Sequence, residues 1–147
     1  MSSPPTSPTA EPASSAPHRF LIVIPVADRP RHIRACLDSL HRLLQRYPYG
    51  DGDGDRISVL IADDSAESVH VAGNRDLAAE FSRRGLLTLH FGPDEQMALL
   101  AALETDLSVV CGPASRENFG HKGQGVMRNI AYLKVAELLS GTPADKL

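Results

Sequence analysis

Seven consecutive residues with no polar side chain among them, Phe20-Leu-Ile-Val-Ile-Pro-Val26, constrain the fold of this chain more than any other feature. The run has strand length and is apolar on both faces, the pattern of a strand covered on two sides in a parallel sheet. It is read as the first and central strand. Parallel strands need a crossover between them, and the sequence supplies one. Asp28-Arg29-Pro30 offers a capping side chain and a proline suited to a first helical turn. Ile33, Leu37, Leu40, Leu44 and Tyr47 then recur at alternating steps of four and three, the stripe of an amphipathic helix lying on the sheet. Pro48 to Asp55 is a turn-rich loop. Ile57 to Ala62 is a second buried strand, ending at the acidic pair Asp63-Asp64.

The alternation continues. Asn74 to Arg84 reads as a helix closed by Gly85, and Leu86 to Phe91 as a third strand. Asp94 to Thr105, rich in Ala, Leu, Glu and Met, predicts another helix, whereas Leu107 to Cys111 is too short to assign. A last helix begins near Gly125 and carries Val126, Ile130, Leu133 and Leu138. Strands alternating with helices predict an α/β fold with three layers, α/β/α, around a mainly parallel sheet. Right-handed crossovers then put ligands at the carboxyl ends of the strands. Residues 1–17 hold five Pro and five Ser and offer no apolar face, so a disordered, dispensable tail is expected before a single domain over 18–147.

Composition narrows the function classes. A formal net charge of -3 lacks the basic footprint of a nucleic-acid-binding protein. No apolar run approaches the roughly 20 residues of a membrane helix, and no basic-then-apolar secretory signal opens the chain. Cys36 and Cys111 form no C-x-x-C and no disulfide framework, which fits a cytoplasmic setting with reduced thiols. Both read as small hydrophobes rather than nucleophiles.

Two segments bear chemistry. Ile57-Ser-Val-Leu-Ile-Ala-Asp63-Asp64-Ser65 places adjacent carboxylates at the edge where such sheets bind ligands, although Asp64 or Ser65 would also serve as a turn cap. In His121-Lys-Gly-Gln-Gly-Val-Met-Arg128-Asn129, Gly123 and Gly125 allow close backbone approach at a helix start, and Lys122 and Arg128 add positive charge. A helix entry of that kind suits a diphosphate, and equally an ordinary glycine loop. The triplets Asp51-Gly-Asp53 and Asp53-Gly-Asp55 read as a solvated acidic turn. His90 and His121 read as surface or satisfied core histidines rather than metal ligands. No G-x-G-x-x-G follows the first strand, which argues against a dinucleotide-dependent dehydrogenase.

Taken together, residues 20–136 resemble the GT-A fold glycosyltransferases, particularly the large inverting family-2 type. Ile22-Val-Ile-Pro25-Val-Ala-Asp28-Arg29-Pro30 is similar to that family's opening I-P-x-y-N-R-P, Asp63-Asp64-Ser65 to its D-D-[GS] turn, and Gly123-Gln-Gly-Val-Met-Arg128-Asn129 to its G-x-x-x-A-R-N segment. The resemblance implies that Pro25, Val26, Ala27 and Asp28 line the base and ribose pocket. It also implies that Asp64 accepts a hydrogen bond from the base and that Arg128 faces the diphosphate, with Lys122, Gly123 and Gly125 as a possible diphosphate loop.

The implied partner is a nucleotide-diphosphate sugar such as a UDP-sugar, transferred to an acceptor hydroxyl with a divalent cation, Mn or Mg, in the complete enzyme. In that family the metal-binding D-x-D and the catalytic base lie downstream of the R-N helix. The expectation is a donor-binding half, incomplete at the C-terminus, that transfers no sugar by itself. The alternative is a non-catalytic nucleotide-binding or protein-interaction module derived from the same fold.

Overall fold

The computed structural model describes residues 18–49, 56–103, 105–112 and 119–140. In chain order the elements are β1 (Phe20–Val26), α1 (Pro30–Arg46), β2 (Ile57–Asp63), α2 (Ser68–Arg83), β3 (Thr88–Phe91), α3 (Pro93–Ala102), α4 (Ser108–Cys111) and α5 (Gln124–Ser140). The strands form one parallel sheet in the order β1-β2-β3, with Phe20 beside Ile57 and Val59 beside Thr88. The α/β class and the parallel pairing agree with the sequence reading. The position of β1 does not: β2 is the central strand, and among the described residues β1 pairs on one side only. Nor is the run fully buried: Phe20 and Pro25 are exposed, residues 21–24 are half-buried and only Val26 is buried, because an apolar run reports layers on its two faces and leaves the pairing of its edges open.

The alternation of side chains across the pleat divides the core in two. Ile22, Ile24 and Val26 of β1 with Val59 and Ile61 of β2 meet Ile33 and Leu37 of α1 and Leu77 and Phe81 of α2. The intervening residues Leu21, Val23, Leu60, Ala62 and Phe91 face the other way, against Cys111, Met127, Ile130 and Ala131. Helices therefore cover both faces. Leu37, Phe81 and Phe91 are fully buried, each stabilising the fold by roughly 1.5–3 kcal/mol in transfer terms.

Helix ends follow local chemistry in one case and tertiary contacts in another. At the end of α2, Gly85 adopts φ +90, and the Leu86 and Gly85 amides donate to the carbonyls of Phe81 and Ser82 at 3.0 and 3.1 Å. This six-to-one and five-to-two pair satisfies carbonyls that the helix itself leaves open. Leu86 is consumed by that cap, so β3 starts at Thr88 rather than Leu86. The start of α2 lies at Ser68, six residues before the Asn74 that the sequence suggested. Just before that start, the Asp28 carboxylate accepts from the amides of Ala66 and Glu67, both at 3.4 Å. Asp28 therefore anchors the two residues that lead into α2 across the sheet edge, while neither α2 nor α1 has a side-chain cap on its first turn.

The α1 stripe is confirmed through Leu44, while Tyr47, 62% exposed, falls beyond the helix. The segment 108–111, unassigned from sequence, is a single helical turn, and α5 carries Val126, Ile130 and Leu133 into the core as expected. The expected tail 1–17, the acidic triplets between 51 and 55 and the chain after 140 lie outside the described residues.

Candidate functional site

The carboxyl edge of the sheet is built from three loops, those after β1 and β2 and the one entering α5. Two parallel neighbours bring Val26 beside Asp63, and the Asp64 amide donates to the Val26 carbonyl at 2.7 Å. The acidic pair then splits its roles, because successive residues of a strand point to opposite faces.

Asp63 turns inward and is fully buried. Its carboxylate accepts from the Ser65 amide at 2.9 Å and from Asn74 Nδ2 at 3.0 Å, and it meets His90 Nε2 at 2.9 Å. Burial pushes its carboxyl up, but the hydrogen bonds from His90, Ser65 and Asn74 outweigh this and hold it below the usual carboxylate range. Asp63 and His90 thus tie β2, β3 and α2 together, and His90 is a satisfied core histidine.

Asp64 turns to the loop entering α5. Its Oδ1 accepts from the Lys122 amide at 3.0 Å, its Oδ2 from the Gly123 amide at 3.1 Å, and the Lys122 ammonium lies 2.8 Å from Oδ1. The His121 amide donates to the Asp64 carbonyl at 3.0 Å. Gly123 at φ +88 and His121 at φ 54 aim these successive amides at one point, the backbone concavity that binds anions elsewhere. Here the anion is the protein's own carboxylate. Lys122 is further spent on the Phe119 carbonyl and lies over the Phe119 ring, 4.0 Å from its centroid. Gly120 lets the loop close: a Cβ there would stand 2.8 Å from the Cα of Ala66.

Asp28, at φ 47, is the second clasp. Its carboxylate contacts His70 Nδ1 at 2.9 Å and His121 Nε2, and its amide donates to Ser65 Oγ at 2.9 Å. Partial burial pushes the carboxyl up, yet the bonds from His70, His121 and the Ala66 and Glu67 amides prevail and bring it down to about 2.

Two grooves flank this clasp. The first, about 400 Å³, is lined by Pro25, Val26 and Ala27 at the end of β1, by Asp64, and by Gln124 and Met127 of α5. Its remaining wall is the first two turns of α1, with Arg29, His32 and Cys36. Among the described residues, Arg29 and His32 have no side-chain hydrogen bond or ion pair. The second groove, about 690 Å³, lies between α2, α3 and the Phe119-Gly120 segment.

Of the residues singled out from sequence, Pro25, Val26, Ala27 and Asp64 therefore share one groove. Asp28 stands in the clasp behind it. Arg128 is exposed and lines a separate depression with Val23, Pro25, Ala131 and Tyr132, so the three polar residues do not converge on one cavity. Lys122 and the Gly123 amide are engaged with Asp64, while Gly125 lies in the first turn of α5. His32 escaped the sequence reading, and Arg29 and Cys36 entered it only as part of a helix start and as a small hydrophobe, not as groove residues. The spacing that would have found them is their position at i, i+3 and i+7, one helical face beside Ile33. Cys36 is exposed at the groove rather than packed, whereas Cys111 is buried, which pushes its thiol up.

Among the described residues, no group of three His, Cys, Asp or Glu is arranged to hold a metal ion. The described residues therefore offer no site for the divalent cation that the resemblance implies for a complete enzyme. No helix among the described residues is long and apolar enough to cross a membrane. Comparison with protein-family models, curated proteins and solved structures returned no match for this chain.

Proposed function

We propose that the first groove binds a nucleoside diphosphate-linked sugar, and that the chain acts as the donor-binding half of a glycosyl transfer to an acceptor hydroxyl. One observation carries the reading: Pro25, Val26, Ala27 and Asp64 line a single groove of about 400 Å³ together with Arg29 and His32, two basic side chains with no partner among the described residues. A volume of this order suits a small ligand. Guanidinium and imidazole groups suit its diphosphate. The first turn of α5, whose Gln124 lines the groove, adds amides that its own helix leaves open.

Asp64 retains capacity for a base. An ionised carboxylate has about four acceptor positions, and Lys122 and Gly123 fill three of them through two amides and one ammonium. Because Lys122 is committed internally, Arg29 and His32 take the larger share of the phosphate charge, and Arg128 is left to a neighbouring surface.

Titration calorimetry with UDP and with uridine tests this. UDP should bind, and Arg29→Ala should weaken it roughly tenfold while leaving uridine unchanged, as loss of one charge-assisted bond requires. No saturable UDP binding, or equal losses for UDP and uridine, would refute the assignment.

A further inference from the structure

The second groove has the build of a ligand site that the first does not use. It is the larger of the two, and its surface is divided by chemistry. Val71 of α2 and Pro93 and Met97 of α3 supply an apolar wall with Phe119 at its base, while Arg75 and Ser68 of α2 supply donors. Among the described residues neither Arg75 nor Ser68 spends its side chain on another group. The wall is preformed: Phe119 is 3% exposed and pinned by Lys122, and the Gly120–Ala66 approach leaves no room for the segment to settle deeper.

We infer that this groove binds an amphipathic organic anion, an apolar ring or chain bearing one carboxylate, sulfonate or phosphate. An uncommitted guanidinium beside a half-buried apolar surface favours such a ligand over a neutral sugar, which would make no use of the Arg75 charge and gain little from Val71 and Met97. Asp94 also lines the groove, on α3. The acidic end therefore pairs with Arg75 on α2, and the apolar body covers Pro93 and Met97. The two grooves are separated by the Asp64–Ala66 and Gly120–Lys122 segments, locked to each other by the bonds described above, so occupancy of one does not require the other. This inference stands independently of the nucleotide reading.

The probe is 8-anilinonaphthalene-1-sulfonate, titrated into the folded chain with fluorescence detection, with circular dichroism and thermal melts to hold each variant to the native fold. Saturable binding is expected. Arg75→Glu, at an exposed position, should weaken it at least about tenfold through charge reversal, and Ala72→Trp should weaken it by filling the groove. Arg29→Ala and saturating UDP should leave it unchanged. Absence of saturable binding overturns the inference, as does binding indifferent to both Arg75→Glu and Ala72→Trp. Displacement by UDP together with sensitivity to Arg29→Ala would assign the probe to the first groove and equally overturn it.

Discussion

Replacing Asp64 with alanine tests whether the loop entering α5 is held by an internal anion. The substitution removes the acceptor of two backbone amides and of an ammonium whose side chain is 6% exposed, against 7% for Asp64 itself. What remains for Lys122 is the Phe119 carbonyl and ring. Removing one partner of a buried ion pair costs about 3–5 kcal/mol, because the other charge stays desolvated. For a chain of this size that lowers the melting temperature by roughly 6–20 °C. Urea denaturation of wild type, Asp64→Ala, Lys122→Met and the double variant forms a cycle that isolates the pair. The double variant should be less destabilised than the sum of the singles by at least about 1 kcal/mol, since it no longer buries an unpaired charge. An Asp64→Ala cost within about 0.5 kcal/mol, the range of ordinary surface substitutions, or a cycle with no coupling, would show that the contacts carry no net stabilisation.

Gly120→Ala should destabilise by roughly 1–3 kcal/mol in the same urea assay, because its Cβ would meet backbone of Ala66 that has no side-chain freedom to yield. Asp63→Ala should cost roughly 2–4 kcal/mol by leaving Asn74, the Ser65 amide and His90 without their acceptor in a buried site. Asp28 titrates lower in the folded chain, at about 2, than its ordinary 3.8, so the folded state binds fewer protons in between. Its contribution is fully present above pH ~4 and lost as pH falls through ~2; Asp28→Asn should flatten the acid limb of a stability-against-pH curve, and an unchanged limb would refute the assignment.

The site was legible only in part. Asp64 was identifiable because an acid at the end of a buried strand must reach the ligand-binding edge of a parallel sheet. That Asp63 would be buried as a structural hub while Asp64 clasps a loop 58 residues away was not identifiable, since which acid faces inward depends on the registers of β2 and α2 together. That Arg128 would open onto the depression beside Val23 and Tyr132 was not identifiable for a similar reason. A helix start fixes where its first turn lies, but the face each residue presents is decided by which neighbours take Met127 and Ile130 into the core.

What the sequence determined by itself was the alternation of three strands with long helices and the parallel pairing. Runs such as Phe20–Val26 can be buried only between two layers, and the stripe from Ile33 to Leu44 has one face to hide. These are local consequences of hydrophobic periodicity, settled over a few residues. Tertiary structure alone decided the strand order, the start of α2 at Ser68, and the closure of the 119–123 segment over Asp64. Each depends on groups far apart in the chain, Asp28 with Glu67 or Asp64 with Gly123, whose pairing gains free energy only once the sheet has brought them within hydrogen-bond reach.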